Sequence, residues 1–210
     1  MAGRRIGGSS PLPNKPPSKS RSGSTRFEYR VWGNHGGARA LLAELAERES
    51  AERVDDCYLL VDDPGWNAKV RDDALKVKQL VEEDRGFERW VAHKHRSADT
   101  APSPFDDLFD DLGLEGLSGD DYDLAAAIDL LPASHDVRAV FVTKHRLRYR
   151  IGCLRAEATD VVIQSTGEVL QTLAIEGDDL DELEALRTRL GLVDEPNTPV
   201  HQAIENDVDG

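Results

Sequence analysis

Cations recur at every second residue in several stretches of this sequence. Lys69 and Arg71 form one pair, Lys76 and Lys78 another, and Lys144, Arg146, Arg148 and Arg150 a run of four. Arg26, Glu28 and Arg30 mix two bases with an acid, and Arg155, Glu157 and Thr159 carry a similar mixture. In an extended strand, residues two apart project to the same face. Each group would therefore present concentrated positive charge to one side of a sheet. Guanidinium groups bind phosphate oxygens bidentately and ammonium groups act as point charges, so such faces suit a chain of phosphates. The few carboxylates among them, Glu28, Glu157 and Glu176, could hold a divalent cation through oxygen ligands. The competing reading is plainer: solvated strand faces whose lysines guard sheet edges.

Overall charge bears on that choice. The chain has 210 residues, 40 acidic against 26 basic side chains, and a formal net charge of −14. Polar strand faces in so acidic a protein should be mostly Asp and Glu, yet these carry Lys and Arg. A field of this sign repels nucleic acid and anionic membranes, so no bulk nucleic-acid or membrane binding is expected. Any anion site must be a local pocket of positive charge, walled off from the exterior.

The elements that would position these residues are strands for the most part. Arg26–Trp32 alternates polar and apolar at period two. Residues 38–53 carry Leu41, Leu42, Leu45 and Ala46 at helical spacing, which predicts an amphipathic helix. Strands are expected over 56–61, 66–71 and 75–81, the last two joined by a tight Asp72-Asp73 turn. Gly86 opens a further short element. Long alternating strands follow over 138–151, 153–164 and 169–176, then a helix over about 180–190 capped by Asp178 or Asp179 and closed by Gly191. Six or more strands follow one another too closely for crossover helices, so an antiparallel barrel flanked by helices, an α+β fold, is favoured over a βαβ sheet.

The remaining segments carry weaker signals. Residues 1–25 read as a disordered basic tail, a solvated end or a contact for nucleic acid or an acidic partner. Residues 97–121 are acidic with interspersed Phe and Leu, and fit either a partner-binding segment or a mobile cap. Residues 123–131 suggest a short helix, 26–205 the folded domain, and 206–210 a disordered end. Cys57 and Cys153 lack metal or disulfide spacing and are expected as small buried hydrophobes. No apolar run reaches the ~18 residues of a membrane span, and no secretory leader is evident, so a reducing cytoplasm is the expected setting. His93 and His95 lack a third ligand. Trp32, Trp66 and Trp90 suit packing better than base stacking. No nucleotide-binding glycine loop or hydrolase signature occurs.

The order of these parts resembles the CYTH superfamily, the triphosphate tunnel metalloenzymes. The resemblance runs from the opening strand with Glu28 through Lys69-Val70-Arg71, Lys76-Val77-Lys78 and Arg148-Tyr149-Arg150. It continues to Glu157 in Arg155-Ala156-Glu157, then Ala174-Ile175-Glu176-Gly177 and a following helix with Leu190-Gly191-Leu192. It implies an eight-stranded antiparallel tunnel. Lys69, Arg71, Lys76, Lys78, Arg146, Arg148 and Arg150 would hold the phosphates, with Arg30 beside them. Glu28, Glu157 and Glu176 would be the catalytic residues and hold Mg²⁺ or Mn²⁺. One departure matters. The family opens ExExK, whereas this chain reads Glu28-Tyr29-Arg30-Val31-Trp32, with Arg30 in place of the second glutamate and Trp32 in place of the lysine. A guanidinium there removes a metal ligand and favours an anion over a second cation. Two functions follow: a metal-dependent phosphohydrolase acting on inorganic or organic triphosphate, towards which the surviving cations lean, or a degenerate polyphosphate- or nucleotide-binding module acting as sensor or adaptor. An interaction domain with no small ligand is the third option, and it would need these cations on an outer surface.

Overall fold

The computed structural model describes residues 25–60, 64–72, 74–96 and 137–209. The expected tail, acidic insertion and 123–131 helix lie outside them. Eight strands form where the period-two pattern is longest: β1 Arg26–Trp32, β2 Glu47–Leu60, β3 Trp66–Arg71, β4 Ala74–Asp84, β5 Phe87–Arg96, β6 Arg138–Ile151, β7 Leu154–Ile163 and β8 Val169–Gly177. Three helices accompany them: α1 Gly36–Leu45, α2 Leu180–Arg189 and α3 Val200–Asp209. Every neighbouring pair is antiparallel, and the strands close in the order β1-β5-β4-β3-β2-β6-β7-β8. Closure removes every sheet edge.

The main apolar core lies outside this barrel. Phe27, Tyr29 and Val31 alternate with Glu28 and Arg30 along β1. They pack with Ala156, Leu173 and Ile175 beneath Leu42 of α1 and Leu183 and Leu186 of α2. The opposite parity faces inward and divides along the barrel axis. Towards one end it is charged. Towards the other, Leu60, Val140, Val142, Val161 and Ile163 pack against Val200 and Ile204 of α3, so this helix stops one mouth.

Three boundaries differ from the sequence expectation. The helix expected over 38–53 ends at Leu45, and β2 begins at Glu47. Its apolar stripe stops at Leu45 and Ala46, while Glu47–Arg53 offers little apolar surface to bury. The fourteen-residue β6 instead provides a partner ladder, in register from Glu47↔Arg150 through Glu52↔Arg146 with a bulge at Arg48/Ser50. Tertiary pairing here overrides helix propensity. The element after Gly86 is a ten-residue strand, joined to β4 by a two-residue turn with both Arg85 and Gly86 at positive φ (53° and 80°), the primed geometry that matches strand twist. At the C-terminus, α3 runs to Asp209, past the boundary at 205. The long strand over 138–151 forms as expected. So does the α2 cap, where the Asp179 carboxylate accepts from the backbone N–H groups of Asp181 and Glu182.

Candidate anion-binding tunnel

The charged half of the barrel encloses a cavity of about 940 Å³. Ten Lys and Arg line it against six Asp and Glu, an excess of cations inside a chain that is strongly acidic overall. Two clusters organise the wall.

The first is built on Asp56 of β2, whose carboxylate has no solvent exposure. Arg71 donates to it twice, from Nε at 2.5 Å and Nη2 at 2.6 Å. Lys69 Nζ lies at 3.2 Å and Lys144 Nζ at 3.6 Å. One carboxylate thus serves three cations. Burial alone would raise the Asp56 pKa, but the hydrogen bonds from Arg71 and the charges of Lys69 and Lys144 outweigh it, so the acid stays well below the usual carboxylate range. The lysines bear the cost of crowding. Burial, with Arg71 and Lys78 nearby, brings Lys69 down to about 7. Burial and Lys69 push Lys144 well down, and its ammonium donates to the Tyr58 hydroxyl. An anion entering this cluster would favour the charged forms of both lysines.

The second cluster is built on Arg30 of β1. Its Nη2 donates to Glu28 at 3.0 Å and to Glu157 at 2.8 Å, and its Nη1 to the Thr172 hydroxyl at 3.3 Å. Lys78 adds a second cation to Glu28 at 2.9 Å, and Arg146 lies 3.6 Å from Glu157. Burial works against ionisation of both acids. Lys78 and Arg30 nonetheless hold Glu28 far below its ordinary value, and Arg30 and Arg146 hold Glu157 at about 2. Glu176 stands apart, 3.7 Å from both Arg26 and Arg155, and burial with the nearby Glu28 charge raises its pKa.

Most of the residues expected from sequence line this cavity: Glu28, Arg30, Lys69, Arg71, Lys76, Lys78, Arg146, Arg148, Glu157 and Glu176. Arg150 does not; it sits exposed near the end of β6. Apart from Arg150, the expected cations thus face a tunnel and not an outer surface. Three contributors had not been put forward as site residues: Asp56, Tyr58 and Lys144. A sign was present, because Asp56 and Tyr58 alternate with buried Cys57 and Leu59 and so place polar groups on an inward face. Glu88 was also missed. It sits directly across from Glu28, as Glu176 does on the other side, and burial raises it to about 7. Cys57 is buried as expected, but Cys153 is exposed at the β6–β7 turn, its thiol donating to Glu182. Trp90 is buried and stacks edge-on against His201 of α3, while the Trp32 indole N–H donates to the Thr198 carbonyl. Both are packing roles.

The three glutamates do not fit a divalent metal as they stand. The guanidinium of Arg30 lies between Glu28 and Glu157, where a shared cation would have to sit, and Glu176 remains on its own pair of arginines. Among the described residues no group of three or more His, Cys, Asp or Glu converges to hold an ion.

The closed eight-stranded order and the cation-lined interior decide the architecture. The chain folds as the closed eight-stranded antiparallel tunnel that the resemblance implied. Compared by sequence, it matches no protein-family model and no curated protein. Among solved structures, the tunnel is similar to the PH1012 protein of Pyrococcus horikoshii OT3, at 16% identity over 83% of this chain and 94% of that one, with a TM-score of 0.52. The PH1819 protein of the same organism aligns at 13% identity over 87% and 99%, TM-score 0.49. The S. pombe Pct1 RNA triphosphatase aligns at 9% identity over 88% and 80%, TM-score 0.33. At 16% identity the likeness to PH1012 is one of fold. Among the described residues no helix of this tunnel protein is long and apolar enough to cross a membrane.

Proposed function

We propose that the tunnel binds a linear phosphate chain, an inorganic or organic triphosphate or polyphosphate, through its own cations and without a divalent metal on Glu28, Glu157 and Glu176. The position of Arg30 supports this reading most directly. It supplies a fixed positive charge between two carboxylates, the place where metal-dependent chemistry would need Mg²⁺ or Mn²⁺. The Asp56 cluster completes the case, since Arg71 is a fixed cation there and an anion entering beside it would favour the charged forms of Lys69 and Lys144. Arg71 offers a planar fork and Lys69 and Lys144 compact charges, the two complementary ways of holding phosphate oxygens. Binding in this way makes the protein a phosphate-chain binding module, a sensor or an adaptor.

The test is calorimetric titration with tripolyphosphate in EDTA. Binding should persist without metal, and Arg71→Ala should weaken it roughly tenfold or more, as expected for loss of a charge-assisted bidentate contact. Binding seen only with Mg²⁺ or Mn²⁺ would overturn the reading. So would phosphate release from tripolyphosphate, ATP or thiamine triphosphate that Glu176→Gln abolishes, because that outcome restores metal-dependent hydrolysis.

A further inference from the structure

Positive charge is not distributed evenly around the open mouth. On the β6–β7 side the cations have acidic company: Arg148 lies 3.9 Å from Glu52, and Arg155 lies 3.7 Å from Glu176. The β3–β4–β5 side is different. There Lys69 stands directly across from Lys76, and Lys76 directly across from Lys94. Directly opposed residues in antiparallel strands share a face, with Cβ atoms about 4.5–5.5 Å apart. Three lysines therefore form a row across three strands, about 10 Å over two inter-strand steps. The row starts deep, where Lys69 is tied to Asp56 at 3.2 Å. It passes Lys76 in the cavity wall and ends at the exposed Lys94.

Among the described residues neither Lys76 nor Lys94 has a carboxylate within ion-pair distance. Asp72 in the β3–β4 turn draws on Lys76 only weakly; burial, Arg71 and Lys94 prevail and lower its pKa. Like charges directly opposite one another destabilise a sheet. An anion lying along the row would relieve that cost at every step.

We propose that this row is a second phosphate subsite, leading from the Asp56 cluster out through the mouth to Lys94, and that the ligand it suits is an inorganic polyphosphate longer than three phosphates. The proposal rests on the reading of the tunnel as a phosphate site. Because α3 stops the other end, a chain seated on the Asp56 cluster can extend only outward. Lys76 and Lys94, which among the described residues have no carboxylate at ion-pair distance, set the side on which it leaves. Simple phosphates fit better than a polynucleotide. Among the described residues the tyrosines and tryptophans lining the cavity are Tyr58 and Tyr149, both buried, and the Tyr58 ring at the inner end of the row is already faced by the Lys69 and Lys144 ammonium groups, whereas single-stranded nucleic acid relies on stacked aromatics.

The experiment compares tripolyphosphate with a size-fractionated polyphosphate several times its length, by calorimetry at one ionic strength. The longer chain should bind the unmodified protein roughly tenfold more tightly, the worth of added charge-assisted contacts. In Lys94→Ala that ratio should fall to about one. Arg189→Ala, which removes an equal charge from the exposed end of α2, should leave the ratio in place. If tripolyphosphate fails to bind at all, the tunnel reading fails and this proposal with it. If it binds but the chains are bound alike, or Arg189→Ala lowers the ratio as much as Lys94→Ala, the subsite alone is overturned. A Lys94-dependent gain seen with a 5′-triphosphorylated oligonucleotide and absent with polyphosphate also overturns it.

Discussion

Arg30 holds Glu28 and Glu157 together with one guanidinium, largely shielded from water. Breaking such a pair by removing one partner leaves uncompensated buried charge, which typically costs about 3–5 kcal/mol. Arg30→Met keeps most of the apolar stem and should lose about that much stability in urea unfolding. A partial recovery is expected when Glu157→Gln is added, because the second change removes one of the stranded charges. A loss below about 1 kcal/mol would mean that Lys78 and Arg146 already satisfy the two carboxylates, and that Arg30 does not organise the cluster. At this scale the sequence was half legible. The replacement of a glutamate by Arg30 was visible in the order of residues, and its sign was enough to argue against a second cation. Which carboxylates Arg30 would reach was not visible, because Glu157 is 127 positions away in the chain.

Among the elements, α2 shows local chemistry and tertiary packing acting together. Its N-terminus is capped by Asp179, acids occupy its first turn and Arg187 and Arg189 its last, all favourable to the helix dipole. Its buried Leu183 and Leu186 then close the outer core over β1 and β8. Asp179→Ala should cost about 1 kcal/mol, read as a lowered denaturation midpoint at an unchanged m-value, while Asp179→Asn should retain most of the stability. Equal loss in both variants would show that the cap's charge matters more than its hydrogen bonds. This helix could be read from sequence because its signals are local. The end of α1 could not, because residues 47–53 favour a helix by composition and become a strand only through pairing with β6.

For the whole molecule, the buried His201 and the half-buried Glu88 set opposing pH dependences. Burial lowers His201 to about 4 from an ordinary 6.5. Its neutral form is the folded one, so stability is lost as pH falls from 6.5 towards 4. Burial raises Glu88 from 4.5 to about 7. Its protonated form is the folded one, so stability is gained as pH falls from 7 towards 4.5. The two are linked through Trp90, which donates to Glu88 at 3.2 Å and stacks on His201. Thermal melts should therefore change little between pH 6.5 and 4.5. Glu88→Gln should make the melting temperature fall with pH across that window, and His201→Leu should make it rise. The same slope in both variants would show that other groups govern the acid response.

The sequence by itself determined that this chain builds antiparallel strands with segregated basic faces, and that an acidic protein must shield them. Period-two patterning, turn residues and charge are local properties, and local properties can be read in order along a chain. Only the tertiary structure decided which way those faces turn and what stands beside them. Closing the strands into a barrel turned the cations inward, placed Asp56 under three of them and seated Arg30 between two glutamates. It also aligned Lys69, Lys76 and Lys94 into a row. Those arrangements depend on strand order and register, which follow from how the outer apolar faces pack beneath α1 and α2. They join residues that no spacing along the chain relates.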